Sequence, residues 1–136
     1  MTQPVTPSPA ATLVLLRDRS SGGLETLLIQ RHTKSKFAAG DYVFAGGKIE
    51  ADDVPSDAER LCAGLTAETA AARLGGLAPR SALGYWIGAI REAFEEVGML
   101  LAYTEAGRPI VFNAANRERF AAYRAACQTS NAAFFD

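Results

Sequence analysis

A chain of 136 residues, 49% hydrophobic and 21% charged, has room for one buried core, which excludes a disordered chain and a multidomain one. Its formal net charge of −1 lacks the basic excess of a nucleic-acid binder, so no nucleic-acid partner is expected. No apolar run reaches the length of about 18 residues that a membrane span requires. The opening MTQPVTPSPA has neither the basic nor the apolar region of a signal peptide, so residues 1–10 read as a flexible leader and the location as cytoplasmic. Cys62 and Cys127 stand too far apart for a CxxC motif and read as buried free thiols of a reducing compartment.

Taken in chain order, ATLVLLR (11–17) is a buried strand, DRSSGG a turn, and LETLLIQRH (24–32) a second strand. KSKFAAG is a loop, and DYVFAGG is a short extended piece closed by two glycines. Residues 54–80 are Ala-rich and predict one or two short helices, the second stopped by Gly75 and Gly76. Ser81 is the expected N-cap of a longer helix to about Val97, with Leu83, Ile87, Ile90 and Phe94 at helical spacing. MLLAY returns to strand, TEAGRP turns, and NAANRERFAAYRAAC makes a final helix. This order predicts an α+β or α/β domain.

Two stretches concentrate acids. In REAFEEVG, Glu92, Glu95 and Glu96 fall at i, i+3 and i+4, on one helical face. Like charges so placed repel by a few tenths of a kcal/mol per pair, and a hard divalent cation offsets that repulsion best. A solvated acidic stripe is the plain alternative. The apolar side formed by Ile90, Phe94 and Val97, with Gly98 as a C-cap, argues instead for a helix docked on a core. In GGKIEADD, the Gly46–Gly47 pair permits a close backbone approach.

Together the two stretches resemble the Nudix box, G-x5-E-x7-R-E-U-x-E-E-x-G-U, where U is aliphatic. Gly47 takes the opening Gly, and Arg91, Glu92, Glu95, Glu96, Gly98 and Met99 match the closing half. Ala93 stands at the first U, Asp53 replaces the first Glu, and residues 54–90 stand where the pattern has seven. Upstream, LLIQRHTKSKFAAGDYVFAGG is similar to the pattern LLTxR[SA]xxx[RK]xxxGxxxFPGG of coenzyme A-associated Nudix enzymes. Leu27, Leu28, Arg31, Lys36, Gly40, Phe44 and both glycines are in register, while Ile29, His32 and Ala45 depart from it. The long insertion resembles the coenzyme A diphosphatase branch.

The resemblance implies a Nudix-type α/β/α sandwich with a mixed sheet over 11–136, carrying a helical insertion over 54–83. It implies hydrolysis of a pyrophosphate bond in a small nucleotide substrate, coenzyme A or its thioesters first, with Mg²⁺ or Mn²⁺ as cofactor. Glu92, Glu95 and Glu96 are the implied metal ligands, joined by the Gly46 carbonyl. Glu95, Glu96 and Arg91 form the implied catalytic set, with Arg91 tying the helix to the loop through Asp53 or Glu50. Arg31, Lys36 and Gly47 are the implied substrate contacts; surface cations are the equal alternative for the first two. His32, the lone histidine, reads as structural or surface. Later strands expected after the box are not evident in the segment after Met99. The expectation is therefore the front of a longer protein, or a cropped domain that borrows strands from a partner, a homodimer being the simplest. On that second view the chain is an incomplete module that binds metal or nucleotide, or acts only through protein contacts.

Overall fold

The computed structural model describes residues 6–35 and 38–135. Lys36 and the first half of the expected leader lie outside the described residues.

The strand-forming run of the N-terminal part divides among three antiparallel ladders. Strand β1 (Ala10–Leu13) pairs with β6 (Ala45–Lys48), with Ala11 opposite Gly47 and Thr12 opposite Gly46. Strands β2 (Leu16–Asp18) and β3 (Leu24–Thr26) form a hairpin, and β4 (Ile29–Gln30) pairs with β5 (Tyr42–Val43). The hairpin turn uses Gly22 and Gly23, both at positive φ, where a Cβ would be strained. Each of the two long strands expected from sequence is thus broken. The first changes partner at Val14 and Leu15, the second at Leu27 and Leu28. The Leu15 carbonyl marks the break by accepting from the Leu27 N–H (3.2 Å) and the Thr26 hydroxyl (2.9 Å). Among the described residues every ladder is antiparallel and two-stranded, not part of a mixed sheet. The β2–β3 link is too short for the crossover of a dozen or more residues that parallel pairing needs.

Three α-helices follow among the described residues. Helix α1 (Ala67–Leu74) is capped by the Thr66 hydroxyl, which accepts from the Thr69 N–H at 3.1 Å. Helix α2 (Pro79–Val97) starts earlier than the sequence suggested, with Ala78 as N-cap. Pro79 sets this start, because its fixed φ and missing N–H suit the first helical position. Gly98 ends the helix in the left-handed region (φ 70°), its N–H bonded to the Ala93 and Phe94 carbonyls. Helix α3 is Arg117–Cys127. Residues 99–103 form no strand beyond one bridge, Tyr103 to Pro109. Their β-forming side chains lack a ladder to join among the described residues, and propensity alone does not make one.

The core lies between the inserted segment and α2. Ala58, Ala70, Ala82, Leu83 and Ile87 are buried together, with Val54, Leu65, Leu77 and Trp86 packed around them. The other half of α2 turns Phe94 into an aromatic group: Phe112 meets it edge-on at 6.4 Å and stacks on Phe120 at 4.6 Å. The acidic turn of α2 is therefore held on a helix anchored at both ends.

Candidate active site

Arg91 and Asp53 organise the site. Arg91 is 1% exposed and Asp53 is fully buried. The Arg91 Nε donates to Asp53 Oδ1 at 2.6 Å and its Nη2 to Asp53 Oδ2 at 3.3 Å. The same guanidinium donates to the Lys48 carbonyl (3.1 Å) and to Glu95 Oε1 (3.0 Å), and pairs with Glu92 Oε1 at 2.9 Å. Asp53 also accepts the Glu50 N–H at 2.9 Å. Glu50 itself is exposed, so of the two partners foreseen for Arg91 it is Asp53 that makes the pair. Burial opposes the Arg91 charge, but hydrogen bonds to Asp53 and Glu95 and the charges of Asp53 and Glu92 outweigh it, holding its pKa above the ordinary value.

Small residues let the loop and helix meet. A Cβ on Gly47 would overlap the Glu92 carboxylate, and one on Gly46 would come within 2.8 Å of Thr12 Cα on β1. The Gly46 N–H donates to Glu96 Oε2 at 3.0 Å. Two glycines inside α2, Gly84 and Gly88, allow the same close approach. A Cβ on Gly88 would sit 2.6 Å from Ile49 Cδ1 and 3.0 Å from Asp53 Oδ2, and one on Gly84 would sit 2.6 Å from Val54 Cγ2. Their signal was there: two glycines four apart in a helix each cost about 1 kcal/mol against Ala and mark one face that another chain segment approaches.

Glu92 is half-buried. Burial pushes its carboxyl above the ordinary range, Arg91 pulls it down, and the neighbouring charges of Glu95 and Glu96 push it up again, with upward the net direction. Glu95 and Glu96 open instead onto a cleft of about 440 Å³ whose other walls include Arg31, His32, Arg124 and Gln128. His32, read from sequence as structural or surface, is exposed and also lines the cleft. Its Nδ1 accepts the Lys34 N–H at 3.0 Å. Gly47 stands at Glu92, while Arg31 lines the same cleft as Glu95 and Glu96. A second cavity of about 180 Å³, lined by Phe94, Phe120, Tyr123 and Phe134 among others, holds none of the acids.

Could a divalent ion sit here? The donors are carboxylate oxygens, the ligands Mg²⁺ and Mn²⁺ prefer, and three of them share one helical face. Among the described residues, however, no three acidic, histidine or cysteine groups converge closely enough to hold an ion as they stand. The residues fit the ion in kind, and as they stand Glu92 and Glu95 hold Arg91 instead.

No family model and no curated protein matches the chain. Among solved structures, the crystal structure of a NUDIX hydrolase from Alicyclobacillus acidocaldarius is similar, with a TM-score of 0.64 and 24% identity. The likeness covers 93% of this chain and 51% of that one. It shows a Nudix-like α+β fold, in a chain spanning about half the length of that protein.

Proposed function

We propose that the chain hydrolyses a pyrophosphate bond in a nucleoside-diphosphate-linked substrate in the cytoplasm, with coenzyme A or an acyl-coenzyme A the first candidate. The observation that carries this reading is the Arg91–Asp53 lock on the helix whose Glu95 and Glu96 line a cleft together with Arg31 and Arg124. A pyrophosphate is polyanionic and repels a hydroxide. A bound Mg²⁺ or Mn²⁺ would neutralise that charge and lower the pKa of a water. Glu92, Glu95 and Glu96 would hold the ion. Arg31 would meet the phosphates, and the Gly46 N–H bond fixes one Glu96 oxygen. The net reaction adds water across the P–O–P bridge: one P–O bond forms to the water oxygen, the bridging P–O bond breaks, and two phosphate monoesters leave. Of the insertion expected over 54–83, the part before α2 packs against that helix, which supports reading it as part of the same domain.

A second reading keeps the fold and drops the reaction. The pairing of Glu92 and Glu95 with Arg91 leaves the acidic face partly neutralised without metal, which favours an incomplete module that binds metal or nucleotide weakly. One experiment separates the two. Coenzyme A, NADH and ADP-ribose are incubated together with the chain in Mg²⁺ and the products read by mass spectrometry, with Glu96→Gln as control. Release of 4′-phosphopantetheine and 3′,5′-ADP, lost in the variant, is expected. Cleavage of another component alone removes coenzyme A, and no turnover at all supports the module.

A further inference from the structure

Helix α2 leaves carbonyls without helical partners in its last turn, as every helix does. The Ala93 and Phe94 carbonyls are met by the Gly98 N–H. The next two, on Glu95 and Glu96, are met from a distance. The Arg124 Nε donates to the Glu95 carbonyl and its Nη2 to the Glu96 carbonyl, both at 2.9 Å, and the Gln128 Nε2 adds a second donor to the Glu95 carbonyl at 3.0 Å. Arg124 and Gln128 lie one turn apart at the end of α3 and both line the cleft. The carbonyls they grip belong to the two residues whose carboxylates open onto that cleft.

We propose that Arg124, seconded by Gln128, is a positioning residue: a fork from α3 that fixes the backbone of Glu95 and Glu96 and thereby aims their carboxylates. Helix ends fray when their last carbonyls lack partners, and a frayed turn would let both Cα–Cβ directions wander. The guanidinium is suited to the task because its planar donors bind two successive carbonyls at once and its charge sits at the negative end of the α2 dipole. The proposal's metal arm rests on the hydrolase reading; its backbone arm does not.

The test is hydrogen exchange of the full chain read on peptides, with Mg²⁺ titration by calorimetry on the same samples. In Arg124→Ala, amides of 94–99 should exchange roughly tenfold faster or more, the scale set by losing charged hydrogen bonds, while α1 and the β1–β6 ladder keep their protection. Mg²⁺ affinity should fall with it. Gln128→Ala, which removes one bond and leaves the aromatic packing of α3 intact, should give a smaller loss in the same peptide. Arg124→Lys keeps the charge without the fork and should restore only part of both readouts. Unchanged exchange at 94–99, a loss spread evenly over the molecule, or full restoration by lysine overturns the clamp. A wild-type chain that takes no Mg²⁺ overturns the hydrolase reading, and the exchange result then decides the clamp alone.

Discussion

Asp53 and Arg91, 38 residues apart in sequence, meet at 2.6 Å with both side chains sealed from solvent. Everything between them, including α1, loops out and returns. The pair is thus the closure point of the inserted segment and the anchor of the acidic turn. Removing one partner of a buried pair costs at most about 3–5 kcal/mol, when it leaves the other charge unpaired. Glu92 and Glu95 stay with Arg91, so the loss should lie below that. Asp53→Ala is expected to lose stability within that limit in urea unfolding. Asp53→Asn, which keeps an acceptor but not the charge, should lose less. Loss below about 1 kcal/mol in both would show that Glu92 and Glu95 suffice as counter-charges for Arg91.

The glycines of α2 invite the opposite of the usual expectation. Gly→Ala inside a helix ordinarily stabilises by about 1 kcal/mol. At Gly88 the added methyl would meet Ile49 Cδ1 at 2.6 Å, and overpacking costs about 1–3 kcal/mol. Gly88→Ala should therefore be destabilising. Ile49→Val deletes the clashing atom, so the double variant should be more stable than the two single losses predict when added. Simple additivity in thermal unfolding would mean the loop yields freely.

How much of this could be read beforehand depends on how local the cause is. The acids of α2 and the glycine pair were legible because helical spacing and a fixed motif order are properties of short segments. The Arg91 partner was legible as a choice of two, since a charge needs an opposite charge nearby. Strand boundaries were not, because the switch of partner at Leu15 and Leu27 is set by which segments happen to lie alongside. Pro79 outweighed Ser81 at the helix start through a backbone preference that side-chain capping logic overlooks. Arg124 was invisible for a different reason: its bonds go to main-chain carbonyls, which carry no sequence signature at all.

Cys62 offers a pH reading away from the site. Burial pushes its thiol above the ordinary range, and the Glu59 charge adds to this. A thiol raised in the folded state contributes stability that is present below its unfolded pKa and is lost as pH rises through the folded one. Alkylation of Cys62 by iodoacetamide should accordingly rise at higher pH than for a free cysteine, and Glu59→Gln should move that rise downward. The Glu59 carboxylate also accepts the Ala67 N–H at 3.0 Å, a bond the glutamine oxygen can keep, so α1 should survive the change. A profile matching free cysteine would show that Cys62 is open to solvent.

Metal linkage gives the most direct check on the acidic face. A ligand bound only by the folded chain stabilises it by about 2.7 kcal/mol at a hundredfold excess over Kd, so melting after EDTA dialysis should move upward as Mg²⁺ is added back. Glu92 and Glu95 must exchange Arg91 for the ion, which predicts weak binding and a shift that needs millimolar Mg²⁺, on the order of a site with few free carboxylates. Glu96→Gln separates the ion from the fold. Its amide oxygen can still accept the Gly46 N–H that now reaches Glu96 at 3.0 Å, so the metal-free melting point should stay close to wild type while the Mg²⁺ shift disappears. If the metal-free protein already melts lower, the Gly46 bond is what Glu96 chiefly supplies. A wild-type chain that ignores Mg²⁺ would leave Arg91 as the lasting counter-charge of the acidic turn and favour the non-enzymatic module.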